Sequence, residues 1–250
     1  MQDILFYLAL FFGVSLLSSI GVVVGGTGLI VTSALILLGI PPDVAVVSYR
    51  VGTTGAVITS FIKFHKSRKI DYRLAIPLTV FSLAGALIAT RIVLTAEAVF
   101  LKKAVAFAIL AVLAVFLLNP HIGVKRTKKG VPARNILGFG LASIISFINI
   151  LAGGGGGALF SYLLLLLYGQ TFLESAGTKR VVNGIPIIVA SLIFLFSEKI
   201  DYTLALVLFA ANSVGGWFGS QHFIEKGDKY VRPFFIASAL ILGLMLLAGF

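Results

Sequence analysis

The chain has 250 residues, 59% of them hydrophobic and only 12% charged, with a mean hydropathy of +1.09, which excludes an ordinary soluble domain. It has no cysteine, excluding a disulfide framework and a thiolate metal site. Its formal charge of +11 sits mostly in two short clusters between apolar runs, as cytoplasmic anchoring of a membrane protein requires, so nucleic acid is not the expected partner.

The first apolar run, Ile4 to Val24, follows Asp3 rather than a basic leader and is read as a retained span. It ends at "VVVGGTGLI". The next run, residues 28–40, is too short to cross about 30 Å of hydrocarbon. After "LGIPPDVAVVS" comes a run over 43–64 that carries Arg50. Lys63, Lys66, Arg68, Lys69 and Arg73 make the first basic cluster, around the tetrapeptide KIDY at 69–72. Runs over 72–91 and 98–118 follow, then a second cluster, Lys125, Arg126, Lys128, Lys129 and Arg134. The remaining runs cover 134–152, 158–169, 173–196, 202–220 and 232–250. Five consecutive glycines, Gly153 to Gly157, stand before the second short run, and KIDY recurs at 199–202.

Shifted by 130 positions, residues 18–92 align with 148–222 without a gap, and 20 of the 75 pairs are identical. Gly25 and Gly26 fall on Gly155 and Gly156, Gly39 on Gly169, Arg50 on Arg180 and Gly85 on Gly215. An internal duplication follows: one repeat over 1–118, a basic cytoplasmic linker over 119–133 and a second repeat over 134–250. The expected fold is an all-α polytopic bundle of about 8–10 segments, with broken helices at the glycine turns. The loop over 63–69 has four Lys or Arg, whereas in its partner over 193–199 Lys199 is opposed by Glu198. This asymmetry predicts inverted repeats with both termini outside. Within each KIDY the Asp is expected to cap the following helix, the Lys to snorkel and the Tyr to sit at the interface.

Two repeat-related features could carry chemistry. Glycine turns at membrane depth need protein or a water-filled cavity to satisfy their backbone, and the short helix after each would aim its free amides inward. Gly25, Gly26, Thr27 and Gly28, with Gly153, Gly154, Gly155, Gly156 and Gly157, are therefore candidate ligands for an anion; close helix packing by small residues is the competing reading. Arg50 and Arg180 each lie about eight residues into a span, where an arginine is expected to face the bundle interior and can pair with an oxyanion. Ser48, Thr53, Thr54, Thr178 and Asn183 could add neutral donors. The alternative is that the arginines snorkel or pair with acids such as Asp43 or Glu174. Lys179, beside Arg180, points to a shallower and more hydrated setting there. Asp43 and Glu174 are the candidate proton-coupling acids, although an anion leaving down an inside-negative potential needs no second ion. His65, His121 and His222 form no cluster with acids, so no metal, cofactor or catalytic site is expected.

The duplicated glycine turn with a short span, the "LGIPPDVAVVS" stretch, the basic loop and "KIDYRLA" together resemble the sulfite exporter TauE/SafE family over nearly the whole chain. The second half departs from that pattern in lacking the PP dipeptide, with "YGQTFLESAGT" in its place. The resemblance implies a bacterial or archaeal inner-membrane permease that exports small sulfur-containing anions such as sulfite or sulfonates. A passive anion channel and a membrane scaffold are the other readings, and the pattern is compatible with a homo-oligomer.

Overall fold

The computed structural model describes residues 2–97, 99–101, 103, 133–231, 233 and 234. The expected spans over 98–118 and 232–250 fall largely outside these residues, as does nearly all of the linker. Among the described residues every regular element is helical: α1 (Gln2–Val24), α2 (Thr27–Leu37), α3 (Pro42–Lys66), α4 (Tyr72–Thr95), α5 (Ala133–Leu151), α6 (Gly156–Tyr168), α7 (Phe172–Val182), α8 (Gly184–Phe194) and α9 (Tyr202–Lys226).

The two glycine stretches make hairpins. After the break at Gly25 and Gly26, α2 turns back along α1, and its Val31 and Leu35 pack with Val14 and Leu10. The second hairpin closes the same way, with Gly138 near the start of α5 against Tyr168 at the end of α6. At 11 and 13 residues, α2 and α6 reach only about 16–20 Å. The broken helices expected at the glycine turns are therefore observed.

Small residues bring the remaining helices close. Running in the same direction, α3 and α9 meet with Gly52 against Leu208, Gly55 against Phe209 and Ser213, and Gly216 against Ala56 and Thr59. A Cβ at Gly55 would lie 2.4 Å from the Phe209 carbonyl, so only glycine permits this approach. On its other side α9 receives α1, where Gly215 faces Ser15 and Gly219 faces Ser19. The matching pair in the other half is α4 with α5: Gly85 lies against Ser143, and Phe81 stacks on Phe139 at 4.6 Å.

Each half thus completes the other, and the KIDY loops repeat the exchange. Asp201 N–H donates to Ser48 Oγ (3.0 Å), and Asp71 N–H donates to Thr178 Oγ1 (3.2 Å). Both aspartates also cap their helices, Asp71 Oδ1 accepting from Leu74 N at 3.3 Å and Asp201 Oδ1 from Leu204 N at 2.9 Å, as the sequence led us to expect. The first loop follows the C-terminal end of α3, while the second touches its N-terminal turns at Ser48 and Asp43. The two copies of KIDY consequently lie near opposite ends of a helix about 37 Å long. Lys199 does not simply snorkel: its Nζ donates to Val93 O and Ala96 O, with Asp43 at 3.8 Å.

The run expected over 173–196 is not one helix. It breaks at Asn183 because Pro186 has no N–H for the Val182 carbonyl. The matched position in α3 is Ala56, and α3 is continuous.

The core is apolar, but so is much of the surface: large side chains such as Phe12, Leu16, Val80, Leu206 and Phe218 cover the outside, while Ser48, Arg50, Asn149, Lys179 and Asn212 are buried. Five of the described helical stretches are long and apolar enough to cross a membrane. The chain is an all-α, multi-pass membrane protein.

Candidate functional site

The tips of the hairpins meet at mid-height of α3, backbone against backbone. Gly25 lies on Gly157 and Ala158, and Gly28 lies on Gly154. Close packing by small residues is therefore real here, and it coexists with a cavity. The cavity is small, about 70 Å³, with room for a few waters or one small ion. It is lined by both glycine turns and by side chains from α1, α3, α5, α7 and α9.

Four helix ends point at this place. The last carbonyls of α1 and α5 have no intrahelical partner and carry the negative end of the helix dipole. Cations from the other half of the chain satisfy them. Arg180 Nη2 donates to Val22 O, and Lys179 Nζ donates to Val23 O at 2.7 Å, both on α1. Arg50 Nη2 donates to Asn149 O on α5. The two arginines, predicted to be equivalent, thus make equivalent contacts, each with the hairpin of the opposite half. This cap on a broken helix is a role that neither sequence reading contained.

The short helices begin at the same point, at Gly26 and Gly155, both with φ of 85°. Asn149 organises the second hairpin: its Oδ1 accepts from Gly156 N (3.0 Å), and its Nδ2 donates to Asn183 Oδ1 (2.7 Å). The first amide of α6 is thereby occupied. The N-cap of α2 is Gly26, which has no side chain to cap the helix start, and Thr27 and Gly28 of α2 line the cavity.

Donor capacity remains after these contacts. Arg50 Nε and Arg180 Nε are buried without a hydrogen-bond partner. Arg50 is 1% exposed and Lys179 3%. No Asp or Glu lines the cavity, and the undescribed stretches 104–132 and 235–250 contain none. Three cations without a carboxylate, beside a helix start whose N-cap is glycine, have the chemistry that an anion would need.

Of the residues singled out in the sequence, Gly25, Gly26, Thr27, Gly28, Arg50, Thr53, Gly154, Gly155, Gly157, Arg180 and Asn183 line the cavity. Ser48, Thr54, Gly153, Gly156 and Thr178 do not. Ser48 and Thr178 hold the KIDY loops, and Thr54 donates to Val51 O within its own helix. Asp43 and Glu174 are also elsewhere: Asp43 pairs with Lys199, and Glu174 forms a capping box with Thr171. The expectation of a hydrated setting beside Arg180 is corrected, because Lys179 is buried with its ammonium held by Val23 O, Ser161 Oγ and, at 3.4 Å, Gly157 O. Sequence reading did not place Tyr49, Asn149, Lys179 or Asn212 in the site, although all four line the cavity. The available signals were a lone amide in the apolar run "SFINILA" and the matched pairs Tyr49–Arg50 and Lys179–Arg180.

A polytopic bundle with broken helices meeting at a charged central cavity defines the class of membrane transport proteins. The profile of the sulfite exporter TauE/SafE family matches residues 9–246, and the chain belongs to that family. It is similar to a probable membrane transporter protein of Haemophilus influenzae, 25% identical over 94% of this chain and 92% of the relative. It is also similar to the probable membrane transporter protein ORF9 of a Sinorhizobium species, 24% identical over 99% and 95%. A third relative, the probable membrane transporter protein YfcA of Escherichia coli, is 25% identical over 95% and 88%. No solved structure matches the chain significantly. The protein is a membrane transporter.

Proposed function

We propose that this transporter is a secondary carrier of the bacterial or archaeal inner membrane that exports small sulfur-containing anions such as sulfite or short sulfonates. The observation that carries the reading is the group Arg50, Lys179 and Arg180 around a cavity without a carboxylate, at the contact between two hairpins. Guanidinium forks suit a tetrahedral or pyramidal oxyanion, and the cavity size suits a small one. The family description, sulfite exporter, supports the sulfur chemistry and the direction.

In this reading the repeats over 1–118 and 134–250 are inverted, and the linker over 119–133 is cytoplasmic. The basic cluster from Lys63 to Arg73 sits at the C-terminal end of α3 and marks the cytoplasmic side. The hairpin α1–α2 then enters from outside and α5–α6 from the cytoplasm. Rocking of one hairpin and its partner helices against the other would expose the cavity to each side in turn.

The test is flux from proteoliposomes of the purified protein, screened against sulfite, sulfate, thiosulfate and short sulfonates. A carrier shows saturable flux, accelerated by substrate on the opposite side. Unsaturable conductance indicates an anion channel instead, and absence of flux for every anion indicates a scaffold.

A further inference from the structure

Residues 49 and 179 are repeat mates, but one is tyrosine and the other lysine, so the second half brings an extra cation to the cavity. Lys179 differs chemically from the two arginines beside it. A guanidinium keeps its proton throughout the physiological range, whereas a buried lysine can lose its own. The oxygens on Lys179 Nζ supply hydrogen bonds but no charge: Val23 O on α1, and Ser161 Oγ and Gly157 O on α6. Ser161 now donates to Gly157 O at 3.0 Å, and its hydroxyl can turn to donate to a neutral amine, so the site can hold both forms.

The ionisable groups around Lys179 add no compensating negative charge. On the cavity wall are Tyr49 and Arg50 from α3 and Arg180 from α7 itself. From α6 comes Tyr162, next to Ser161. Asp71 of α4 meets α7 at Thr178 while its carboxylate caps α4 at Leu74. Asp228 and Glu174 act at the start of α7, the first accepting from Leu173 N and the second in its capping box, about 8–9 Å along the helix from Lys179.

We propose that Lys179 couples a proton to the anion, holding the proton while the anion occupies the cavity and releasing it to water when the anion leaves. This rests on the anion site proposed above. An empty cavity with three cations repels the third positive charge, and a bound anion restores it, so anion and proton bind cooperatively and move in the same direction. Coupling is therefore assigned to a lysine rather than to Asp43 or Glu174. A singly charged anion then crosses without net charge, and the anion and pH gradients together set the direction of flux.

The experiment measures the affinity of the purified full-length protein for ethanesulfonate and for sulfate, whose charges are constant between about pH 6 and pH 10, where lysine but not arginine titrates. Wild type should lose affinity as pH rises, approaching tenfold per pH unit in the upper part of the range. Lys179→Gln should bind weakly at all pH values, and Lys179→Arg should show no pH slope. Because arginine can misfit this pocket, proton uptake on adding ethanesulfonate to weakly buffered wild type is the second readout, expected to approach one proton per anion at high pH. A flat wild-type profile without proton uptake overturns the proposal, as does a slope that survives in Lys179→Gln. If that flat profile accompanies binding that Arg50→Gln abolishes, the anion site stands and only the lysine assignment falls. If neither probe binds, the anion site itself falls.

Discussion

At the scale of single residues, Asn149 is the hinge of the candidate site. One side chain holds the start of α6 and the break at Asn183, and its carbonyl receives Arg50. Asn149→Asp keeps the shape and places a negative charge among Arg50, Lys179 and Arg180. We expect the folded protein to persist, since Asn183 can turn its amide to donate to the new carboxylate, while anion affinity falls by at least tenfold. Titration of purified Asn149→Asp with sulfate, alongside its melting temperature, checks both halves of this expectation. Unchanged affinity in a folded variant would show that the anion does not approach these cations. The sequence contained Arg50 and Arg180 as a matched pair, but not what they hold. Their partners are backbone carbonyls of the opposite half, and carbonyls have no residue type to recognise.

At the scale of elements, the glycine turns carry two separate constraints, and these can be taken apart by substitution. Gly25 has φ of 78°, and a Cβ there would lie 2.4 Å from Ala158 N and from Gly157 C. Gly39 has φ of 89° with nothing within 4 Å. Gly39→Ala should therefore cost about 1–2 kcal/mol, the left-handed penalty alone. Gly25→Ala should cost clearly more, because the hairpin tips must also separate. Thermal unfolding of both variants in one detergent makes the comparison, and equal losses would mean that the tips can part freely. The short helices were legible as apolar runs bounded by glycine, and the Asp caps as the repeated KIDY. The break in the run over 173–196 was legible too, in the "NGIP" of residues 183–186, but hydropathy alone continues through it. Ser48 and Thr178 look like free donors beside an arginine, and only the packing of distant loops reveals that they accept Asp201 and Asp71 amides.

At the scale of the whole molecule, the exchange of contacts between halves predicts which side each loop faces. Ser67 follows the C-terminal end of α3, and Ser197, 130 positions on, lies in the loop whose Lys199 meets Asp43 at the N-terminal end of α3. In a chain without native cysteine, Ser197→Cys should react with an impermeant thiol reagent in intact cells, and Ser67→Cys should react only after permeabilisation. Thr127→Cys, in the linker outside the described residues, should behave like Ser67→Cys. Equal labelling at 67 and 197 would rule out the inverted arrangement. The reading of a duplication rests on glycines, an arginine and KIDY that recur at one fixed interval. How the halves interlock was not legible in the sequence, since the pairing of α1 with α9 and of α4 with α5 depends on small residues that are common throughout the chain.

The central claim is that Arg50 and Arg180 bind the transported anion while they cap the hairpin of the opposite half. It is tested most directly by the sulfite or sulfonate affinity of purified, folded Arg50→Gln, Arg180→Gln and Arg50→Lys. Losing a charge-assisted contact in a desolvated site costs about 2–3 kcal/mol, or roughly 30- to 150-fold in affinity. Both Gln variants should show a loss of that size, and Arg50→Lys should fail nearly as badly, because an ammonium lacks the fork that can hold a carbonyl and an oxyanion together. Folded Gln variants with near-native affinity would contradict the account and leave the arginines as caps alone.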